Sequence, residues 1–288
     1  MSAPSVEGAA TAPSAVAFAR RGGVRLAFRT AGREDAPAAV PVPGFASHVD
    51  VLWDDAGPRA FHERLAARLR LVVYDRRGQG RSSAAAPPTV DADAADLGAI
   101  LDAARLERAV VVGQSQGGAA AIAFAATAPE RVAGLILVGT YARAASGDGY
   151  PHGPPREQLL AFAGAVADAW GDAALASAFA PSAADDPAFA AWWTRACRMA
   201  LTPDAVRATL ERRAHLDVRA HVAAVRVPAL VAHRTGDGIT PVEHGRWLAD
   251  HIPGARLREL PAADHLWWLP EPSEVADLIT DFTEEHSR

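Results

Sequence analysis

The chain has no lysine: all 29 of its basic residues are arginine. That removes Schiff-base catalysis, a lysine-bound pyridoxal phosphate and the lysine of a phosphate-binding P-loop. One cysteine, Cys197, is present, so no intramolecular disulfide can form and a zinc ribbon is excluded. Its neighbours Trp192, Trp193 and Met199 read as the surroundings of a buried structural thiol rather than of a nucleophile. Half of the residues are hydrophobic, yet no run of eighteen apolar residues occurs, and no membrane-spanning helix is expected. The formal net charge is -5, with no basic face, which argues against a nucleic-acid partner. His244 and His251 lie seven apart on one helical stretch, but no third metal ligand accompanies them. No Gly-rich dinucleotide fingerprint follows the first long strand, so neither a metal nor another cofactor is expected. Residues 1–14 are rich in Ala, Ser and Pro and lack the charged and apolar regions of a secretory signal. They read as a flexible tail on a cytoplasmic protein.

What is there has a regular rhythm. A hairpin is expected from 15–20 and 24–29 around Gly22-Gly23. Short apolar runs at 38–42, 71–74, 109–112, 132–138, 229–233 and 256–260 read as strands. Between and after them, 59–69, 91–106, 118–126, 242–251 and 273–282 have helical spacing. Short apolar strands alternating with helices imply an α/β fold: a mostly parallel central sheet with helices on both faces. From 141 to about 225 the alternation stops, and only helical pattern remains. The expected organisation is therefore a core of 15–140 and 226–288 with a helical cap, 141–225, inserted over the strand ends, where open sheets bind ligands.

The sharpest local pattern is Gly113-Gln114-Ser115-Gln116-Gly117, directly after an apolar strand and before a helix. A nucleophile on such a tight strand-to-helix turn projects its hydroxyl above the sheet, and small residues two positions either side let the backbone close. The amide of Gln116 then faces the place where an oxyanion would form. A serine hydroxyl is a weak nucleophile without a base, and a third group must orient that base. His265, in a loop after the last strand, is the candidate base. Asp237, in the turn Gly236-Asp237-Gly238 after the strand at 229–233, is the candidate acid. Asp264 is a rival acid, but its adjacency to His265 in the chain places it poorly for the ring. His48 and Trp53 in the preceding loop, and Trp192 and Trp193 in the helical insertion, are candidate pocket residues.

With these residues in hand, the sequence resembles the α/β-hydrolase superfamily over nearly its whole length beyond the tail. Pro43-Gly44-Phe45 resembles the oxyanion loop after the third strand, which implies the N–H of Phe45 as the first oxyanion donor beside that of Gln116. Asp75-Arg76-Arg77-Gly78-Gln79-Gly80-Arg81-Ser82 resembles the superfamily's D-x-R-G-x-G-x-S turn, whose charges can tie loops together. Many members carry His-Gly where this chain has Pro43-Gly44, a change that spares the backbone donor. The order Ser, Asp, His along the chain also fits. The segment 42–53, with Val138-Gly139-Thr140 and Ala263-Asp264-His265-Leu266, is similar to a bacterial subgroup sometimes joined to cyclase or regulator domains.

The resemblance implies a serine hydrolase that cleaves an ester-like or other activated carbonyl bond of a small, largely apolar molecule through an acyl-enzyme. Two alternatives from other classes stay open: a non-catalytic ligand-binding module, and a non-covalent cyclase or lyase on the same fold. Carbon–carbon bond hydrolysis is also compatible with the residues. Substrate identity and oligomeric state do not follow from them.

Overall fold

The Val-, Leu- and Ala-rich runs that alternate with helical stretches assemble into a single eight-stranded sheet. The computed structural model describes residues 11–85 and 87–287. Most of the expected flexible tail, residues 1–10, lies outside the described residues. Its last residue is held: the Ser14 N–H donates to the Thr30 carbonyl at 2.7 Å, and the Ser14 hydroxyl accepts from the Thr30 N–H at 3.0 Å.

The chain order is β1 (Ala17–Arg21), β2 (Val24–Ala31), β3 (Ala38–Val42), α1 (Ala56–Arg68), β4 (Arg70–Tyr74), α2 (Val90–Ala103), β5 (Ala109–Gln114), α3 (Gly117–Thr127) and β6 (Val132–Val138). After β6 come five helices, α4 (Arg156–Asp168), α5 (Ala174–Phe179), α6 (Pro187–Ala200), α7 (Pro203–Arg213) and α8 (Arg219–Val222). The chain closes with β7 (Ala229–Arg234), α9 (Val242–His251), β8 (Arg256–Leu260) and α10 (Pro272–His286). The spatial order is β1-β2-β4-β3-β5-β6-β7-β8. The β1–β2 hairpin and the β2–β4 pair are antiparallel, and every later pairing is parallel.

The central parallel strands are apolar on both faces because both faces are covered, and their residues alternate between the faces, with one shift of register at the start of β6. Val72, Val111, Leu135, Leu137 and Val231 pack on one side with Leu97, Ile100 and Leu101 of α2, Ala119 and Ile122 of α3, and Leu248 of α9. Leu71, Val110, Val112, Ile136 and Leu230 pack on the other with Phe61 and Leu65 of α1 and with Val275 and Ile279 of α10. This period of two, read out on two apolar faces, distinguishes a central parallel strand from a half-exposed one. At about 25 cal/mol per Å² of apolar area, each such Val or Leu contributes roughly 1.5–3 kcal/mol, and alternation ensures that none is wasted on solvent.

Capping chemistry explains the element ends that differ from the sequence reading. Helix α1 begins at Ala56 rather than 59 because the Asp55 carboxylate accepts from the Gly57 N–H. Helix α2 stops at Ala103 rather than 106, where Arg105 turns to φ 56°. The stretch between β6 and β7 contains helices and two isolated bridges, Arg143 with Asp217 and Gly147 with Tyr150, and no strand among the described residues. No helix among the described residues is long and apolar enough to cross a membrane.

Candidate active site

Ser115 stands between β5 and α3 with φ of 50°, in the left-handed region that a side-chain-bearing residue rarely adopts. Such strain costs on the order of 1–3 kcal/mol and persists only where the surroundings enforce it. They do so here by proximity. A Cβ on Gly117 would lie 2.2 Å from the Val42 carbonyl oxygen, and one on Gly113 would lie 2.6 Å from the Gly118 Cα. Only glycine lets β3, β5 and α3 approach this closely. The Thr140 hydroxyl then donates to the Ser115 carbonyl at 2.5 Å and fixes the turn from the β6 side.

The outcome is a relay of three side chains from three separate segments. His265 Nε2 lies 2.8 Å from Ser115 Oγ, and His265 Nδ1 lies 2.7 Å from Asp237 Oδ2. Both bonds are buried. The other oxygen of Asp237 accepts from the N–H groups of Ile239 and Thr240, each at 2.9 Å. Burial opposes the Asp237 charge, but His265 and these N–H groups outweigh it and hold the carboxyl below its usual range. Asp264, the rival acid, points elsewhere: its Oδ1 accepts from the Ser182 N–H at 2.9 Å.

The loop that carries His265 is fixed by a residue that the sequence reading passed over. The Arg234 guanidinium, at the end of β7, donates to the carbonyls of Asp264 (2.8 Å), Leu266 (2.7 Å) and Trp267 (3.2 Å). The only signal for it was its place three residues before Asp237. Burial lowers the Arg234 pKa from its ordinary value, yet an arginine keeps its charge.

On the opposite side of Ser115, the Gly44 N–H donates to Gln114 Oε1 at 3.1 Å, and the Gly44 carbonyl accepts from Arg76 at 3.1 Å. Arg76 also pairs with Asp93 of α2. The turn at 75–82 thus braces the Pro43-Gly44-Phe45 loop from below. Burial pushes the Asp75 carboxyl up to about 7, although the Arg81 N–H donates to it at 2.8 Å. No protein acceptor among the described residues takes the N–H of Phe45 or of Gln116. Gln116 follows Ser115 in the chain, and Phe45 follows Gly44, whose N–H is tied to Gln114 next to Ser115. The Gln116 side chain is not part of the wall of the cavity at Ser115 but lines a smaller pocket with Arg76, Arg77 and Arg212, and its buried Oε1 has no partner among the described residues.

Ser115 and His265 open into a cavity of about 120 Å³. Its wall is aromatic: Trp170, Phe179, Trp192, Trp193, Trp267 and Trp268, with Phe45 on the loop side. Of the four candidate pocket residues, His48, Trp192 and Trp193 line it. Trp53 does not; its ring packs 5.1 Å from that of His62, which takes the place at the wall. Nothing in the local sequence marks His62, which sits on the buried face of α1. Cys197 also lines the cavity, and burial pushes its thiol up to about 12, so it is no thiolate.

Comparison with known proteins follows the same lines. Residues 40–272 match the family model described as the alpha/beta hydrolase fold. The pimeloyl-[acyl-carrier protein] methyl ester esterase of Chromobacterium violaceum is 33% identical over 232 residues, covering 77% of this chain and 87% of that protein. A putative carbamate hydrolase of a Caulobacter species is 28% identical over 236 residues, covering 76% of this chain and 82% of that protein. Among solved structures, the enol-lactonase of Burkholderia xenovorans superposes with a TM-score of 0.76 at 26% identity, covering 93% of this chain and all of that one. With sheet order, elbow and sequence relatives in agreement, the chain belongs to the α/β-hydrolase family and is an α/β-fold hydrolase.

Proposed function

We propose that this hydrolase cleaves an ester-like or other activated carbonyl bond of a small, largely apolar molecule through an acyl-enzyme on Ser115. The observation that carries the reading is the unbroken hydrogen-bonded relay from Asp237 through His265 to Ser115 Oγ at the wall of an aromatic cavity. The names of relatives support the carbonyl class: a methyl ester esterase, a carbamate hydrolase and an enol-lactonase each act at a carbonyl bearing a heteroatom.

In this reading Ser115 Oγ attacks the carbonyl carbon while His265 Nε2 takes its proton. The tetrahedral oxyanion is received by the N–H groups of Phe45 and Gln116, each worth about 10²–10³ in rate. Collapse expels the alcohol or amine, which takes the proton from His265, and leaves the acyl group on Ser115. Water then attacks the acyl carbonyl with His265 again as base, and the acid leaves with Ser115 restored. Asp237 keeps the proton on His265 Nδ1 and stabilises the imidazolium. In the same reading, residues 141–225 form a cap over the core made by 15–140 and 226–288, and supply Trp170, Phe179, Trp192 and Trp193 to the substrate site.

A fluorophosphonate probe tests the proposal, because it traps an activated serine in a tetrahedral adduct. One adduct, mapped to Ser115 by peptide mass spectrometry and lost in Ser115→Ala together with ester turnover, is the expected result. His265→Ala should slow labelling strongly. A protein that leaves the probe untouched is a binding module, and one that turns over its substrate fully as Ser115→Ala works without a covalent step.

A further inference from the structure

Two histidines at the cavity wall are fixed in opposite tautomers, and neither belongs to the relay. His62 Nδ1 lies 2.6 Å from the Pro58 carbonyl, one turn earlier in α1. A carbonyl only accepts, so Nδ1 carries the hydrogen. Burial drives the His62 pKa down to about 4, so the ring is neutral at neutral pH and Nε2 is a bare acceptor. That atom has no hydrogen-bond partner among the described residues, and His62, only 1% exposed, lines the cavity. His48 is the converse. The Asp50 N–H donates to its Nδ1 at 3.2 Å, which leaves the hydrogen of the neutral ring on Nε2 as a donor.

Besides Ser115 and His265, the wall carries the polar side chains of Ser47, whose hydroxyl donates to Gln79 Oε1 at 3.3 Å, and Gln114, whose Oε1 accepts from the Gly44 N–H at 3.1 Å. No Arg, Asp or Glu lines the cavity among the described residues. The indole N–H groups of Trp193 and Trp268 and the hydroxyl of Tyr74 lack protein partners, but each atom is closed off from open space. A cavity of about 120 Å³ is close to the ~150 Å³ apolar cavity that accommodates benzene, so it suits a group of about one ring.

We propose that the cavity recognises an uncharged hydroxyl on the ring-sized apolar part of the substrate, with His62 Nε2 as its acceptor and His48 Nε2–H as the complementary donor. This rests on reading the cavity as the substrate site of the hydrolase. A purely apolar group leaves the His62 lone pair buried and unpaired, which costs binding. A carboxylate meets that lone pair with no cation to offset its own desolvation. The pair of histidines therefore selects for a neutral, donor-bearing ligand by the chemistry of the wall.

The test is binding rather than turnover. The wild-type protein is titrated with phenol, toluene and benzoate by ligand-observed NMR, and the ring nitrogens of 15N-histidine-labelled protein are followed in parallel. His62 should be bare at Nε2 in the free protein, and phenol, not toluene, should shift that resonance. His62→Phe should lower the ratio of phenol to toluene affinity about tenfold or more. Benzoate should not bind. An unchanged ratio, or a proton found on His62 Nε2 in the free protein, overturns the proposal. If His62→Phe does not fold, the nitrogen shift in wild type decides alone. The result is separable from the acyl-enzyme reading: phenol held by His62 in a protein whose Ser115 resists the probe keeps the subsite and loses the enzyme.

Discussion

The backbone N–H of His265 donates to the carbonyl of Phe179 at 2.8 Å, across 86 residues and two segments of the fold. Phe179 ends α5 in the stretch between β6 and β7, and its ring lies 6.0 Å from the imidazole. Asp264 adds a second tie to the same stretch through the Ser182 N–H. The loop bearing His265 is therefore clamped between Arg234 below and the inserted helices above.

The two neighbouring carboxylates have different tasks, which a pair of isosteric variants separates. Asp237→Asn should keep the fold and lower kcat by something like 10⁴, since the amide cannot hold the proton on Nδ1 in the required tautomer. Asp264→Asn, which retains an oxygen for the Ser182 N–H, should cost less than about tenfold. Steady-state kinetics on any accepted ester checks both. A near-normal Asp237→Asn enzyme would sink the assignment of the acid.

Arg234→Met removes the donors to three carbonyls while keeping an apolar stem of similar reach. Unfolding in urea should show a loss of about 1–3 kcal/mol, and kcat should fall while KM rises, because on the proposed mechanism the loop carries both the base and the wall residues Leu266, Trp267 and Trp268. A change confined to KM would contradict that role.

The elbow should tolerate no side chain at position 117. In Gly117→Ala the new Cβ meets the Val42 and Pro43 carbonyl oxygens at 2.2 and 2.4 Å, both backbone atoms that cannot move alone. Loss of about 1–3 kcal/mol or of soluble protein is expected, read by urea midpoint and yield.

Stability should decline on mild acidification. Burial lowers the pKa of His62 from 6.5 to about 4 and that of His244 to about 3. Between those values and 6.5 the unfolded chain binds two protons that His62 and His244 refuse in the folded chain, while Asp75, raised to about 7, takes up one proton in the folded chain first; the net stability therefore falls as pH drops from 6.5 toward 4 with a slope of one proton rather than two. For His62 alone the full span amounts to about 3 kcal/mol. His244, hydrogen-bonded through Nδ1 to the Tyr150 hydroxyl at 2.7 Å, should be the second contributor. Urea midpoints at pH 7 and pH 5 measure the slope, and His244→Phe should flatten it. A slope that the variant leaves unchanged would remove His244 from this account.

Acyl transfer on a serine requires no metal, so turnover should survive prolonged chelation with EDTA. Loss of activity that zinc or manganese restores would point to a different mechanism.

Much of this was legible in the residues themselves. The strands at 38–42, 132–138 and 256–260 and the helix at 242–251 have the bounds that hydrophobic period and turn residues indicate. Gly113-Gln114-Ser115-Gln116-Gly117 announces the elbow because its glycines answer a local steric demand. What stayed hidden depends on contacts between distant segments. Arg234 reads as an ordinary strand-end charge until three carbonyls of another loop close around it. His62 goes unmarked in the sequence and Trp53 reads as a pocket residue, because sequence position does not say which of two packed, tilted rings faces the open space.

The triad is divided by the insertion: 150 residues separate Ser115 from His265, and β7 and β8 must join the sheet before either Asp237 or His265 is in place. A nascent chain on the ribosome thus completes its elbow long before the proposed base, His265, is made. On the proposed mechanism the serine is unassisted through most of synthesis, and its activation waits for the last strands to dock.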